Sequence, residues 1–218
     1  LVFSNQAFLP AIRRFTQVKS MRKLLTVLAA ALAISALTAG AAQAVTCPYY
    51  GAEQKFKPWG DLNHYVLGPD GGFENGAQGW TLKNGAAVVS GNESFYLNDA
   101  SDSRSLSLPA GSSAISPPIC MSIDTPFFRM FGRNAGNTSS GLRVEAVYNV
   151  LGLLRTNVVS TAYAGAGWAP TQPMSTVLGL STVLGTVIPS AIQLRITPVG
   201  SGGQWQIDDL YIDPFARR

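Results

Sequence analysis

The chain has 218 residues, of which 46% are hydrophobic and 13% charged, with 22 Gly, 13 Pro and a formal net charge of +4. Five of the 16 Lys and Arg (Arg13, Arg14, Lys19, Arg22 and Lys23) precede residue 45 and all 12 Asp and Glu follow it, so the later stretch holds 11 basic against 12 acidic side chains, near −1. That balance removes the charge argument for a nucleic-acid partner, and few charges, plentiful Gly and no long helical periodicity point to an all-β extracellular domain.

Residues 1–20 precede the first Met and read as an over-extended reading frame. Met21-Arg-Lys, the apolar run Leu24 to Leu37 and the small-x-small site Ala42-Gln43-Ala44 spell a signal peptide over 21–44, with cleavage expected after Ala44. Thr38, Gly40 and Gln43 dilute the apolar run and no basic stop-transfer cluster follows, so no membrane span is expected in the mature chain. About 170 residues remain, enough for one domain with one core.

Residues 45–70 are rich in turn formers, yet carry Tyr49, Tyr50, Phe56, Trp59 and Tyr65; they read as an ordered strap rather than a floppy linker. The only cysteines are Cys47 in the strap and Cys120 in mid-domain. A disulfide is the default in an oxidising compartment, and closing that loop is worth about 4 kcal/mol in the chain-entropy model. Zinc needs more ligands than two cysteines and a single His supply.

From residue 71 to 216, short apolar runs alternate with turns, as in a sandwich or barrel. Expected strands are Gly79 to Leu82, Ala86 to Ser90, Ser94 to Leu97, Arg104 to Leu108 and Ser112 to Ile123, the last interrupted by Pro117-Pro118. Pro126 to Gly132 and Leu142 to Asn149 follow; in the latter Leu142, Val144, Ala146 and Tyr148 share one face, with Arg143, Glu145 and Asn149 opposite. Leu153 to Tyr163 is the return strand, and Ala164 to Pro170 a flexible loop with Trp168 at its tip. Leu178 to Ile188 fits either a strand or a short helical segment, while Ile192 to Val199 and Gln204 to Asp213 close the domain.

Gly72-Phe-Glu-Asn-Gly76 with Gly79-Trp80, the Ser-Leu pattern from Arg104, Phe127-Phe-Arg-Met-Phe131 and Trp205-Gln-Ile-Asp-Asp-Leu210, in that order, resemble the galactose-binding-like jelly rolls that include many carbohydrate-binding modules. Lys57-Pro-Trp-Gly-Asp61, Ser107 to Ala114 and Thr197 to Asp209 also resemble secreted hypothetical proteins typical of actinobacteria, a likeness that implies no activity. The jelly-roll resemblance implies a β-sandwich whose first and last strands lie side by side. It also implies a structural calcium ion, carried over by motif position to Glu74 and Asp208, with the Gly72 carbonyl as a third ligand. Strict alternation leaves Asp208 and Asp209 on opposite faces of the last strand, each among apolar neighbours, so a buried carboxylate there needs a partner or a proton. Hydrogen bonds from loop amides to Asp208, with no ion, are the other reading.

No Gly-x-Ser-x-Gly, His-Glu-x-x-His or phosphate loop occurs, and the one His, His64, lies in the strap. Glu145 is the acid a two-carboxylate glycosidase would draw on, against a plainer role pairing with Arg143 or a cross-strand base. Sugar binding calls for exposed rings and planar polar groups; Trp168, Tyr148 and Tyr163, with Arg129 and Asn149, are the candidates, and Trp80 and Trp205 are expected in the core. The expectation is a secreted, non-catalytic module that binds carbohydrate, the alternative an adhesive cell-envelope protein that binds other proteins.

Overall fold

The computed structural model describes residues 51–120, 127–150, 152–176 and 191–213. The chain divides between Ala44 and Val45, and every described residue belongs to the later part. The signal peptide, Cys47 with its expected bond to Cys120, and the run Leu178 to Ile188 lie outside the described residues. Among the described residues no helix is long and apolar enough to cross a membrane.

The fold is an all-β jelly-roll sandwich of two antiparallel sheets. The strands are β1 (Val66–Leu67), β2 (Thr81–Lys83), β3 (Ala87–Ser90), β4 (Arg104–Pro109), β5 (Ser113–Ile115), β6 (Ile119–Cys120), β7 (Phe127–Asn134), β8 (Gly141–Val150), β9 (Leu153–Ala162), β10 (Ala169–Pro170), β11 (Met174–Ser175), β12 (Ala191–Val199) and β13 (Gln204–Asp213). One sheet runs β10-β7-β13-β4-β3, with β1 added to β13 and β11 to β7; the other runs β2-β5-β12-β8-β9, with β6 added to β12. Among the described residues the first and last strands pair directly, Val66 opposite Ile212 and Leu67 opposite Tyr211, but this β1 belongs to the strap, and Gly72 to Trp80, expected as the first strand, forms turns.

Period-two patterning builds the core between the sheets. Leu106 and Leu108 of β4, Phe128 and Met130 of β7, Leu142, Val144, Ala146 and Tyr148 of β8, Ile192, Leu194 and Ile196 of β12, and Trp205 and Ile207 of β13 all join one buried cluster. Trp80 joins it, its indole N–H donating to the Pro69 carbonyl at 3.1 Å. At Pro117-Pro118 the expected long strand splits into β5 and β6, because proline has no amide for the ladder.

Two expectations fail for local reasons. Ser94 to Leu97 forms no strand: the Glu93 carboxylate accepts the amides of Phe95 and Leu97 and folds the segment into a turn. Nor does β13 alternate throughout. Its register against β7 shifts between Asp208 and Tyr211, where Asp209 takes a left-handed φ of 48°. This bulge returns Leu210 and Ile212 to the cluster that already holds Trp205 and Ile207, and leaves both acids out of it.

Candidate functional site

The strap lies on the outer face of the β7-β13 sheet. Residues 57–59 form a 3-10 turn led by Pro58, and Glu53 bridges Tyr65 so that the strap folds on itself. Phe56 and Tyr65 then pack against Phe131 of β7 and Tyr211 of β13, making a second aromatic core outside the sandwich. Both faces of β7 are therefore buried, Phe128 and Met130 inward and Arg129 and Phe131 under the strap.

Arg129 pins this arrangement. Its NH1 stands 2.7 Å from Asp61 Oδ2, its Nε donates to the Thr171 carbonyl at 2.8 Å, and its guanidinium lies 4.3 Å above the Phe56 ring. Asp61 also accepts from the Tyr65 hydroxyl at 2.7 Å and the Asn63 amide at 3.0 Å. Burial pulls the Asp61 carboxyl up, but Tyr65, Asn63 and Arg129 together outweigh it and hold the group below its ordinary value.

Above this pair opens a cleft of about 620 Å³, lined by Trp59, Asp61, Phe95, Arg129, Trp168 and Gln172 among others. Three aromatic rings frame it. Trp59 meets Phe95 edge-on at 5.0 Å and Phe131 at 5.4 Å, and Trp168 lies under the Arg133 guanidinium at 5.1 Å, itself held by Gln206. Packing on the buried cores fixes the rings, while Phe95 stays 46% exposed and Trp59 and Trp168 are half-buried. The cleft offers hydrophobic ring surface, a buried ion pair beneath it and the amide of Gln172.

Of the five side chains expected to bind ligand, the structure brings Arg129 and Trp168 together here. Tyr163 is exposed and lines a neighbouring hollow. Tyr148 is a correction: it is buried in the sandwich core, its hydroxyl accepting from Asn157 Nδ2 at 2.8 Å, because it continues the inward alternation of β8. Asn149 is also displaced, its Oδ1 capping the Gly152 amide in the β8-β9 hairpin. Sequence reasoning passed over Trp59 and Phe95 as ligand groups, since neither strap nor turn residues declare which strand they will cover. Glu145 is held near Arg143 at 3.8 Å and Arg195 at 3.6 Å, an ion-pair role.

The acids form a separate region at the bulge. Asp208 accepts the Glu93 amide and its neighbour's amide, both at 2.9 Å; Asp209 is fully buried, with neither oxygen in a hydrogen bond of ordinary geometry. Burial, then the nearby negative charge of Glu93 and Asp102, pushes Asp209 up to about 7, and the Asn98 amide and Lys55 offset only part of this. Burial likewise pushes Asp208 up to about 8, its hydrogen bond from the Glu93 amide notwithstanding. Gly72 lies against this group: a Cβ there would sit 3.2 Å from Asp209 Oδ1 and 3.9 Å from Asp102 Oδ2.

The expected ligand set of Gly72, Glu74 and Asp208 is thus redistributed. Glu74 lies in a turn, not a strand, and its carboxylate is taken up by the amides of Ser103 and Arg104 at 2.8 and 2.7 Å. Among the described residues no three His, Cys, Asp or Glu side chains already stand as a metal cluster. Glu74 does not fit a calcium ion, its carboxylate being satisfied by amides, whereas neither Asp209 oxygen is in a hydrogen bond of ordinary geometry at a buried place beside other carboxylates.

No protein-family model and no curated protein matches the chain. Solved structures similar to it include the CBM22-1 xylan-binding domain of Paenibacillus barcinonensis Xyn10C, at 13% identity over 65% of this chain and 90% of that one, TM-score 0.45. TmCBM61 in complex with β-1,4-galactotriose matches at 15% identity over 67% and 96%, TM-score 0.44. The family 11 carbohydrate-binding module of Clostridium thermocellum, in complex with a β-1,3-1,4-mixed-linked tetrasaccharide, matches at 12% over 68% and 94%, TM-score 0.45.

Proposed function

We propose that the protein is a secreted, non-catalytic carbohydrate-binding module whose ligand seats in the cleft framed by Trp59, Phe95 and Trp168. The observation that carries this reading is the set of three fixed, partly exposed rings around a polar floor: ring faces stack on the C–H side of a pyranose, and Gln172 supplies both a donor and an acceptor for hydroxyls. Asp61, among the described residues the one carboxylate lining the cleft, is tied to Arg129, Tyr65 and Asn63, which favours binding over acid-base work. A glycan array and insoluble-polysaccharide pull-down test it: retention lost in Trp168→Ala supports it, and no binder with or without calcium overturns it.

The same reading includes a structural calcium ion at Asp209, with Asp102 as a further carboxylate; Glu93 adds negative charge but spends both oxygens on the Phe95 and Leu97 amides. The motivation is that neither Asp209 oxygen is in a hydrogen bond of ordinary geometry. The turn over 93–102 supplies Glu93, Asn98 and Asp102 to this region and Phe95 to the cleft, so an ion there would brace one wall of the sugar site. Export through the 21–44 signal and a Cys47–Cys120 disulfide complete the proposal; N-terminal sequencing of the exported protein and non-reducing mass mapping check them.

A second reading, an envelope protein that binds other proteins, is favoured by one feature: edge strand β9 exposes Leu153, Leu154 and Val158. Release of the protein from cells by soluble glycan separates the two, since a protein contact at β9 would persist.

A further inference from the structure

The cleft continues past its own edge. Pro170 and Gln172 line both the cleft and a second hollow of about 340 Å³, whose other walls include Ser160, Thr161 and Tyr163. The ridge between the two is held from below: Thr171 donates its amide to the Met130 carbonyl at 2.8 Å, its hydroxyl accepts the Met130 amide at 3.2 Å, and its carbonyl accepts Arg129 Nε. Pro170 and Pro173 stiffen it on either side. At its crest the exposed amide of Gln172 faces both hollows.

Tyr163 is 68% exposed, yet its ring is seated. It lies against Gly141 at the start of β8, where a Cβ would stand 3.2 Å from Tyr163 Cε1 and 2.6 Å from Thr161 Cγ2. The missing side chain at 141 is what leaves room for the ring there. The second hollow thus repeats the chemistry of the first: an aromatic platform, hydroxyl groups from Ser160 and Thr161, and the shared Gln172 amide.

We propose that the two hollows are subsites of one groove that grips an internal stretch of a linear polysaccharide, with Trp59, Phe95 and Trp168 at one end and Tyr163 as a second stacking platform at the other. This rests on the carbohydrate reading above and specifies its ligand: a chain of several sugar units that crosses the Gln172 ridge, rather than a chain terminus or free monosaccharide. A chain held in the first hollow presents its next units to the second at high effective concentration, so affinity grows with length until both are filled.

The test is isothermal titration of the full chain with β-1,4-linked gluco-, xylo- and galacto-oligosaccharides of two to six units. For the series that binds, affinity should rise about tenfold or more between two and six units. Tyr163→Ala, a surface change, should bring the hexasaccharide back to within about threefold of the disaccharide. Gly141→Ala, which keeps the tyrosine but crowds its seat, should lose part of the rise. Affinity flat with length, or a hexasaccharide indifferent to Tyr163→Ala, overturns the groove while leaving the first hollow as a sugar site. No binding at any length overturns the carbohydrate reading and the groove with it.

Discussion

Asp61 in the strap and Asp209 on β13 are two carboxylates with opposite proton affinities. Asp61 meets a guanidinium, a phenol and an amide and is held below its ordinary value; Asp209 meets Glu93 and Asp102 and is pushed up to about 7. Burial opposes ionisation at both, so the difference lies in the neighbours. One corner is charge-paired and fastens the strap; the other gathers like charges. A fastened strap makes Trp59 and Asp61 part of a preformed cleft, and the calcium proposed at Asp209 would brace the wall bearing Phe95.

The largest break in this comparison is Arg129→Met, which strands Asp61 without its counter-charge and should cost about 3–5 kcal/mol in urea unfolding, with the Arg129→Met, Asp61→Asn pair losing less than the two singles combined. Calcium should act on the other corner alone. At about 100 times its dissociation constant the ion should stabilise by about 2.7 kcal/mol, seen as a raised melting temperature that EDTA reverses and Asp209→Asn abolishes.

The two corners also give opposite pH slopes. The folded-state values of Asp208 and Asp209, raised to about 8 and 7 from 3.8, mean that the folded chain keeps protons the unfolded chain sheds. Their contribution is full below about pH 4 and is lost as pH rises through 7 to 8 in the calcium-free protein. Asp61, held low, contributes above its unfolded value and loses that contribution in acid. Urea midpoints at pH 5.5 and 8.5 in EDTA should therefore fall toward alkaline pH, and saturating calcium should flatten the fall.

Trp59→Ala removes a cleft ring from the strap and should weaken glycan binding about tenfold, near 1.4 kcal/mol, by titration calorimetry. The smallest effect separates core from site: Tyr148→Phe deletes the hydrogen bond from Asn157 and should cost about 1 kcal/mol of stability, with glycan affinity unchanged.

The alternating strands were legible because their apolar positions recur every second residue, as Leu142, Val144, Ala146 and Ile192, Leu194, Ile196 do. Tyr148 was legible as a strand residue for the same reason, and that alternation, taken one step further, argues for burial rather than binding. The acids at 208 and 209 stood out in sequence, but choosing between them needed the bulge, which a period of two conceals. Trp59 and Phe95 were invisible as partners because 36 residues separate them and neither lies on a regular strand.

The sequence by itself determined an all-β domain, its core faces and an aromatic-rich strap, since those follow from local periodicity and composition, while the choice of a sandwich over a barrel rested on the jelly-roll resemblance. Only the tertiary structure decided that the strap covers β7, that Arg129 meets Asp61 rather than solvent, and that Asp209 is the acid left unpaired. Each of these depends on which distant groups exclude water together, and burial of that kind has no signature in neighbouring residues.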